Sequence, residues 1–493
     1  MTESLLSAAA QALAWLIIAA GVLQNLIYLA QLIVAQRALA SDPPEPRARV
    51  LWRRSAAIAP PIALLAPAYN ESATVENSVH SLLKLDYPHF EIIVINDGSK
   101  DETLAVLITA FDLQPIERDY DPALTHAPIR GVYGSARYPQ LIVIDKLNGG
   151  KADALNAGLN LARAPIVCAM DADSLLEPDS LLRAVQPFIE DPERVIAVGG
   201  TVRIANGCRV EDGRIVEIGV ARNIWALFQT IEYLRAFLLA RLAWSRIGAL
   251  TIVSGAFGLF RRAALLDIGG YAHGTVGEDM ELVVRLHRSF LERGRPYRIA
   301  FVPEPVCWTE APESLRTLSR QRARWHRGAL ETFFTHKAML FNPRYGRVGA
   351  IGLGQVLIFD VLGPVFELCG YILMPLMWAL GVLSFDFLLA YLAVSFAFGV
   401  AISVGALAIE EAELRRFPKA RDLVRLAGAA VLENFGYRQL NSIWRLQGLW
   451  QWAHGERAWG DMPRKGFAAP RAPASNHQGA QNDIEAMDPA GAG

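Results

Sequence analysis

Apolar residues form two long segments, one near the start of the chain and one in its last third, with shorter alternating runs between them. No charged residue occurs between Glu3 and Arg37. The segment 5–36 is therefore long enough to cross a bilayer core of about 30 Å as a helix. A cleaved signal peptide has a basic start and a shorter apolar core, so this pattern predicts an N-terminal transmembrane helix.

The second apolar segment, 348–409, predicts the C-terminal transmembrane helices. A straight helix over 348–380 would be about 50 Å long, which exceeds the bilayer core. Pro364 and Pro375 lie in this part, and proline interrupts helical hydrogen bonding. We therefore expect a tilted or broken helix there, followed by a more regular span over 387–409.

Charged residues inside the C-terminal apolar stretches leave two interpretations open. Asp360 and Glu367 lie within the predicted span. They either line a polar path, since intramembrane carboxylates usually have a function, or lie near the headgroups beside a broken helix. Arg438 and Arg445 lie seven residues apart and share one helical face. Their segment, 420–465, predicts a membrane-associated helix and a candidate gating segment rather than a lipid-exposed span.

Between these regions, residues 60–310 alternate short apolar runs with helical patterns. The runs PIALLAPA, EIIVIND, LIVIDK and PIVCAM each end in turn residues. This alternation predicts an α/β domain with a mostly parallel sheet, in which ligands bind beyond the carboxyl ends of the strands. The polar residues that follow these strands, and so converge, are Tyr69, Asn70, Glu71, Asn96, Asp97, Asn148, Lys151, Asp171 and Asp173.

Three further segments complete the predicted organisation. Residues 112–139 have little periodicity and predict a surface excursion from the sheet. Residues 311–345 predict amphipathic interfacial helices. Residues 466–493 are rich in small residues and proline, a composition typical of a disordered tail.

Composition and charge then limit the class of protein. The chain has 48 Lys and Arg against 49 Asp and Glu, so no global basic field favours a nucleic-acid partner. A hydrophobic content of 52% agrees with a lipid bilayer as surroundings. The four cysteines are scattered without a CxxC pair, which argues against a zinc ribbon or a disulfide framework and fits a reducing compartment.

The distribution of basic residues predicts the topology. The residues before the first predicted span contain no Lys or Arg. By the positive-inside rule, the N-terminus then faces outward and the domain that follows is cytosolic. The basic residues directly after this span are Arg37, Arg47, Arg49, Arg53 and Arg54.

Several polar residues in the middle region are candidates for chemistry. Asp171 and Asp173 are spaced to hold a divalent ion that also binds a diphosphate, although such a pair is common by chance. Asp97 either caps a turn or binds a ligand. Lys151 begins a predicted helix, where the helix dipole disfavours a cation, so a phosphate beside it would explain its place.

Farther along, the run VSGAFGLFRR has small residues that allow a close approach of the backbone. Glu278 and Asp279 follow at the start of a predicted helix and are either N-terminal helix charges or include a general base. The stretch SRQRARWHRG, 319–328, combines arginines with a tryptophan. It either binds nucleic acid or a lipid surface, or holds a phosphorylated donor together with a flat, polar acceptor.

The motifs APAYNE, INDGS, NGGKADALN, DADS, SGAFGLFRR, GED, TEAPES and QRARW occur in one order over 67–325. In this set and order the chain resembles the membrane-integrated, processive family 2 glycosyltransferases, such as cellulose, hyaluronan, chitin and poly-N-acetylglucosamine synthases. The resemblance implies a GT-A-type α/β catalytic domain and an inverting transfer from a UDP-sugar donor to a growing polysaccharide. A run of aromatic residues, Trp225, Phe228, Tyr233 and Phe237, favours the same interpretation.

The resemblance also implies roles for individual residues. Asp279 would be the catalytic base, and Asp173 with Asp171 would bind Mg²⁺ or Mn²⁺. The donor would be bound by Ala68, Tyr69, Glu71, Asp97, Lys151, Asp171 and Arg324. The acceptor would be bound by Gln321, Trp325, Ser254, Gly255 and Glu278. The remaining arginines of the patch, Arg320, Arg322 and Arg327, would lie at the membrane surface.

The location that the resemblance implies is the bacterial inner membrane, with a periplasmic or outer-membrane export partner as a further expectation. An alternative function is a non-processive transferase that adds one sugar to a lipid acceptor. The chain departs from the family pattern at Gly277, where many members have threonine ahead of the Glu-Asp pair. The family's gating segment has only loose candidates here, Trp459 and Arg464.

Overall fold

The computed structural model describes residues 2–41, 48–211, 213–414, 417 and 419–456. The predicted tail 466–493 and the candidate gating residues Trp459 and Arg464 lie outside the described residues, as does Arg47. All site residues predicted from the sequence lie within them.

The region from Ile62 to Thr309 is built on a mixed sheet. In the described part of the chain the strands are β1 (Ile62–Ala68), β2 (Phe90–Asp97), β3 (Leu113–Pro115), β4 (Ile129–Ser135), β5 (Leu141–Lys146), β6 (Ile166–Met170), β7 (Leu175–Leu176), β8 (Val195–Ile204), β9 (Arg209–Glu211), β10 (Arg214–Glu217), β11 (Phe257–Arg261) and β12 (Arg298–Thr309). The main sheet has the order β3-β4-β5-β2-β1-β6-β11-β8-β12-β7, and β9 pairs separately with β10.

The four strands expected from the apolar runs, β5, β2, β1 and β6, are parallel neighbours. The prediction of an α/β domain is therefore confirmed. Antiparallel β11 separates them from the parallel pair β8 and β12, so the sheet is mixed. The segment 112–139 is not only a surface excursion, because its strands β3 and β4 extend the sheet by antiparallel pairing.

The described part of the chain forms sixteen α-helices, several of which cover the two faces of this sheet. They are α1 (Thr2–Ser41), α2 (Ala48–Ser55), α3 (Val75–Leu83), α4 (Thr103–Phe111), α5 (Lys151–Leu161), α6 (Ser180–Glu190), α7 (Ile224–Tyr233), α8 (Arg241–Arg246), α9 (Arg262–Asp267), α10 (Glu278–Glu292), α11 (Leu315–His336), α12 (Leu353–Gln355), α13 (Gly363–Ala379), α14 (Phe385–Glu413), α15 (Ala420–Leu432) and α16 (Tyr437–Ala453). Leu64 of β1 packs among α3, α4 and α6, and Leu65 packs among α5 and α10. Successive strand residues thus enter opposite cores, as a sheet buried on both faces requires.

Within the residues that the structure describes, three helices are long and apolar enough to cross a membrane: Ala10–Ser41, Val348–Ala379 and Phe385–Glu413. The second was expected to be tilted or broken at proline. Residues 348–379 instead form an uninterrupted helical run that is π-helical over Val348–Gly352 and Val356–Leu362, so the break is excluded. The last apolar stretch forms two helices, α15 and α16, with a turn at Gly436, whose φ of +99° favours glycine.

Candidate active site

A cavity of about 760 Å³ lies between the catalytic sheet, α11 and the membrane helices. Its walls come from the loops after β6 and before β11, from the starts of α5 and α10, and from one side of α11. These are the carboxyl ends of strands and the starts of helices, where α/β folds bind ligands. Nine predicted site residues line it: Lys151, Asp171, Ser254, Gly255, Glu278, Asp279, Gln321, Arg324 and Trp325.

Lys151 is the centre of the charged cluster in this cavity. Its Nζ donates to Asp171 Oδ1 at 2.7 Å and to the carbonyl oxygen of Gly255 at 3.3 Å. It also forms an ion pair with Glu278 Oε1 at 3.3 Å. Burial disfavours the ammonium, but the charges of Asp171, Glu278 and Asp279 outweigh it and raise the pKa of Lys151. These carboxylates explain how a lysine is tolerated at the start of α5.

Glu278 and Asp279 begin α10, as predicted. Glu278 is buried, and burial raises the pKa of its carboxyl group, with the charge of Asp279 adding to the shift. Asp279 Oδ2 accepts from the Gly255 amide at 3.0 Å. A Cβ at Gly255 would lie 2.7 Å from Lys151 Nζ. Because Gly255 has no side chain, both Lys151 and Asp279 can form hydrogen bonds with its backbone.

The loop before Asp279 packs directly on the helix that carries QRARW. A Cβ at Gly277 would lie 2.8 Å from the Cα of Gly328 on α11. Two more contacts join this loop to α11, because Thr275 Oγ1 and the Val276 amide both donate to Glu331 Oε2. Glycine at position 277 thus permits a backbone-to-backbone contact that fixes the loop relative to α11.

On α11, Gln321, Arg324 and Trp325 all line the cavity. Burial lowers the pKa of Arg324, and the charges of Glu278, Asp171 and Asp279 oppose that shift. Trp325 is 37% exposed, which leaves its ring accessible from the cavity. Gln321 Oε1 is buried without a hydrogen-bond donor among the described residues. The three side chains therefore offer a cation, a flat apolar face and an unfilled acceptor to one space.

The expectation that Arg322 and Arg327 lie at the membrane surface was wrong, since both are buried. Arg322 Nη2 donates to Glu232 Oε2 at 2.7 Å, and its guanidinium lies 4.5 Å from the centre of the Trp325 ring. Glu232 Oε2 also accepts from Tyr437 Oη at 2.8 Å. Arg320 is exposed, as expected. The partly buried Glu232 carboxylate on α7 and the buried Tyr437 hydroxyl on α16 explain why Arg322 leaves the surface.

Four residues expected to bind the donor lie outside this cavity lining: Ala68, Tyr69, Glu71 and Asp97. They are close to one another, because Ala68 and Asn96 are partners at the ends of β1 and β2. The Asp97 carboxylate accepts from Lys146 Nζ at 2.5 Å and from the Gly149 and Gly150 amides at 3.0 and 2.8 Å. Asp97 thus fixes the loop that leads into Lys151. Tyr69 is exposed.

The residues proposed to hold a metal are Asp171, which lines the cavity, and Asp173, which is buried two positions later. No group of three or more His, Cys, Asp or Glu side chains in the described part of the chain could hold an ion by itself. A pair of carboxylates fits Mg²⁺ or Mn²⁺ when substrate phosphates complete the coordination. The donor set is therefore one that a nucleotide would complete.

The cavity continues from Trp325 to the membrane helices. Its far end is lined by Tyr28, Gln355, Asp360, Asn441 and Arg445. Asp360 Oδ1 accepts from Arg445 Nη2 at 2.8 Å. The interpretation of Asp360 as the wall of a polar cavity is thus the one that agrees with the structure.

Glu367, seven residues after Asp360, pairs with Arg438, seven residues before Arg445, at 3.3 Å. Glu367 and Arg438 line a second, smaller cavity of about 230 Å³ between α1, α13 and α14. The two carboxylates on the 348–379 span and the two arginines on α16 are each seven residues apart, so both carboxylates form an ion pair with an arginine of α16.

Sequence reasoning missed Glu232, Arg241 and Tyr437. All three lie on helices without a motif, and they meet the site only through packing. The aromatic run did carry a signal, since Tyr233 and Phe237 line the cavity. Trp225 and Phe228 from the same run pack instead against Tyr437.

Comparison with known proteins agrees with this architecture. Residues 64–269 match the family model for Glycosyl transferase family 2. Residues 64–269 are therefore similar to the family 2 glycosyltransferase domain. The match begins in β1 and ends beyond α9, and it therefore includes Lys151, Asp171 and Gly255 but not Asp279 or α11.

Curated relatives extend the similarity to polysaccharide synthases. The chain is 32% identical over 298 residues to the poly-beta-1,6-N-acetyl-D-glucosamine synthase of Staphylococcus epidermidis strain RP62A, covering 59% of this chain and 61% of that protein. It is 31% identical over 271 residues to the synthase of the same name from Staphylococcus aureus strain COL, covering 55% of each. The chain thus spans less than two thirds of the length of these relatives.

Among solved structures, the fold is similar to that of the mannosyltransferase PcManGT from Pyrobaculum calidifontis, solved in complex with GDP-Man and Mn²⁺. The TM-score is 0.54 at 19% identity, with 91% of this chain and 99% of that chain covered. At this identity the likeness concerns the fold alone. It confirms the GT-A-type architecture.

Proposed function

We propose that this protein is an inverting, processive glycosyltransferase that extends a β-linked polysaccharide from a UDP-sugar and passes the product across the membrane. The observation that carries the proposal is the single cavity that contains Asp279, Arg324 and Trp325 and continues to Asp360 and Arg445 among the membrane helices. The named relatives support a polysaccharide product of N-acetylglucosamine.

Asp279 is the proposed general base. Its carboxylate takes the proton from an acceptor hydroxyl, and that oxygen forms a bond to the anomeric carbon on the face opposite UDP. The bond from that carbon to UDP breaks, and UDP leaves with the electron pair. One base suffices because no covalent intermediate forms. The Gly255 amide, which donates to Asp279 Oδ2, holds the carboxylate in place.

Lys151 and Arg324 are the proposed cations for the donor diphosphate. Both lie beside Asp171 and Glu278, so a bound diphosphate would compete with these carboxylates for them. Asp171 and Asp173 would hold Mg²⁺ or Mn²⁺, and a divalent ion bound there supplies positive charge for the leaving group. Ala68, Tyr69, Glu71 and Asp97 remain the proposed uridine end of the donor site.

Trp325, Gln321, Ser254 and Glu278 are proposed to bind the acceptor. The Trp325 ring offers a face for a sugar, and Arg322 behind it limits the movement of that ring. A chain that leaves this position enters the part of the cavity lined by Gln355, Asn441 and Arg445. Its polar lining could replace water around sugar hydroxyl groups, which supports a growing product rather than a single transfer.

The three apolar helices support a membrane location, for which we propose the bacterial inner membrane with the catalytic domain in the cytosol and the N-terminus outside. An export partner beyond the membrane belongs to the same proposal. The basic residues that follow the first span support this orientation.

The experiment that tests the function measures UDP release by the purified, detergent-solubilised protein. Each of several UDP-sugars is supplied with Mg²⁺ or Mn²⁺, and the labelled product is sized. A long polymer from UDP-N-acetylglucosamine is the expected result. A product with one added sugar per lipid acceptor would contradict processivity, and the absence of turnover with every donor would contradict the function as proposed for this chain alone.

A further inference from the structure

Arg241 is a buried guanidinium without the partners that such a group normally has. It begins α8, is 8% exposed and lines the cavity. Its guanidinium carbon lies 3.8 Å from the centre of the Phe237 ring. Within the described part of the chain no hydrogen bond or ion pair joins it to another residue, and its Nη1 is fully buried. Buried arginines are usually paired, so this one calls for an explanation.

The neighbours of Arg241 connect it to the proposed acceptor site. Tyr233, Phe237 and Arg241 are spaced four residues apart on one helical run and all line the cavity. The rings of Tyr233 and Phe237 are stacked with centres 4.3 Å apart, and the Tyr233 ring lies 6.5 Å from that of Trp325. One continuous face thus runs from Trp325 to Arg241.

Arg241 also lies within electrostatic reach of Asp279. Burial lowers the pKa of Arg241 to about 10, and the negative charge of Asp279 opposes that shift. The guanidinium therefore stays charged at neutral pH. An oxygen held by Arg241 would lie on the side of the cavity that contains the proposed base, at the opposite end of the aromatic face from Trp325.

The charges around the cavity indicate which oxygen this is. The lining residues described here include seven carboxylates against five cationic side chains. An anionic sugar would meet this excess of negative charge, whereas a neutral sugar would not. The carboxylates are Asp171, Glu232, Glu278, Asp279, Glu310, Glu313 and Asp360, and the cations are Lys151, Arg241, Arg322, Arg324 and Arg445.

We propose that Arg241 is an acceptor-binding residue that donates hydrogen bonds to an oxygen of a neutral sugar lying against Phe237 and Tyr233. The oxygen belongs to a hydroxyl or to an acetamido group, and the contact holds the attacking hydroxyl near Asp279. This inference rests on the proposed function, because it takes the ligand to be a growing saccharide. It adds an acceptor-binding residue to that function, and the charge of the lining favours neutral sugars over uronic acids at this position.

The test measures saccharide binding without turnover. The full chain is titrated calorimetrically with a β-1,6-linked N-acetylglucosamine pentamer, a β-1,6-linked glucose pentamer and a pentameric uronate. Arg241→Met keeps the length of the side chain but removes the charge and the donors. It should weaken pentamer binding about 10- to 100-fold, as expected for a hydrogen bond from a charged donor, and change UDP binding less than about twofold. If the oxygen that Arg241 binds belongs to an acetamido group, Arg241→Met should weaken the binding of the N-acetylglucosamine pentamer only.

Arg320→Met is the matched control, because Arg320 is exposed and does not line the cavity. A thermal melt of the free protein supplies a second readout. Since an uncompensated buried charge destabilises the fold, Arg241→Met should melt at the same temperature as the wild type or higher. Arg241→Lys keeps the positive charge but loses the planar guanidinium group, so it should weaken pentamer binding less than Arg241→Met. It replaces Arg241→Met in the titrations if that variant does not fold.

A lower melting temperature with unchanged pentamer affinity would overturn the proposal, as would tighter binding of the uronate than of both neutral pentamers. Failure of the wild type to bind any pentamer would also overturn it. Failure of the proposed function is distinguishable, because it leaves Arg241-dependent pentamer binding intact while no polymer is made from any UDP-sugar.

Discussion

The two ends of the main cavity use the same charged groups in different ways. At the catalytic end, Lys151 is shared between Asp171 and Glu278, and these groups come from three separate loops or helix starts. At the membrane end of this cavity Asp360 has one arginine, Arg445, and in the neighbouring smaller cavity Glu367 likewise has one arginine, Arg438. Shared partners can be exchanged for those of a substrate, whereas one-to-one pairs between two helices fix their relative position.

Evenly spaced pairs are well suited to a structural role. Residues seven apart lie on one helical face, so two pairs define both the register and the rotation of α16 against the 348–379 span. The catalytic cluster cannot have such regularity because its residues are supplied by the ends of different elements. The comparison indicates that substitutions at the catalytic end should change the reaction, and substitutions at the membrane end should first change stability.

The largest effect is expected for Asp279→Asn. The variant keeps the acceptor for the Gly255 amide but cannot take a proton, so kcat should fall about 10²- to 10⁴-fold while UDP binding stays intact. Steady-state UDP release and calorimetric UDP titration measure the two quantities. Asp267→Asn at the surface, where Asp267 pairs with Arg295, is the control. Wild-type kcat in Asp279→Asn would rule out this residue as the base.

Removal of divalent ions should have the next largest effect. Chelation should lower UDP release about 100-fold, because Lys151 and Arg324 alone would have to balance the diphosphate charge. Added Mg²⁺ or Mn²⁺ should restore it. The melting temperature of the free protein should not change, since Asp171 already has Lys151 as a partner. Full turnover in a chelator would contradict the proposed metal site.

Breaking the pair at the membrane end should act on stability. Arg445→Met leaves the Asp360 carboxylate without its arginine, which should cost about 1 kcal/mol, because the pair is only partly buried, and lower the melting temperature in detergent. The double variant with Asp360→Asn should recover part of this loss. The KM for the UDP-sugar should stay near the wild-type value in both. A large change in that KM with an unchanged melting temperature would remove the distinction between the two ends.

An effect on turnover smaller than the first two is expected where the catalytic end meets α11. Gly277→Ala places a Cβ 2.8 Å from the Cα of Gly328, and overpacking of this kind costs about 1–3 kcal/mol. The loop that carries Asp279 should shift, so kcat should fall about tenfold with little change in UDP affinity. Gly274→Ala is a useful comparison, because no atom lies within 4 Å of its Cβ position but its φ of +79° still adds strain. An equal loss in both variants would attribute the effect to the loop rather than to the contact with Gly328.

Much of this architecture could be predicted from the sequence, because short β-branched runs and long apolar segments have few stable alternatives. The strands β1, β2, β5 and β6 and the three candidate spans follow from that pattern. The strands β3 and β4 could not be predicted, because they pair at an edge of the sheet and are only partly buried. Their sequence therefore lacks the continuous apolar run of a central strand.

The candidate site divides in the same way. Motifs predicted the nine residues that line the cavity: six of them lie next to the end of a strand or the start of a helix, and the other three, Gln321, Arg324 and Trp325, lie inside α11. The motifs did not predict the burial of Arg322 and Arg327, since a helix with arginines around much of its circumference gives no indication of which face is covered. Glu232 accepts a hydrogen bond from Arg322, and Tyr437 donates one to the same Glu232 carboxylate. These two residues are 90 and 115 residues away from Arg322 in the sequence.

The sequence by itself determined the central strands, the long apolar helices and the chemical groups beside them, since local hydrophobic periodicity and turn residues depend only on near neighbours. The tertiary structure decided which partner each charged group contacts: Lys151 pairs with two carboxylates and Asp360 pairs with Arg445, whereas Arg241 has no hydrogen bond or ion pair among the described residues. The physical reason is that the free energy of a buried charge depends on partners brought together by folding, and those partners are distant in the chain.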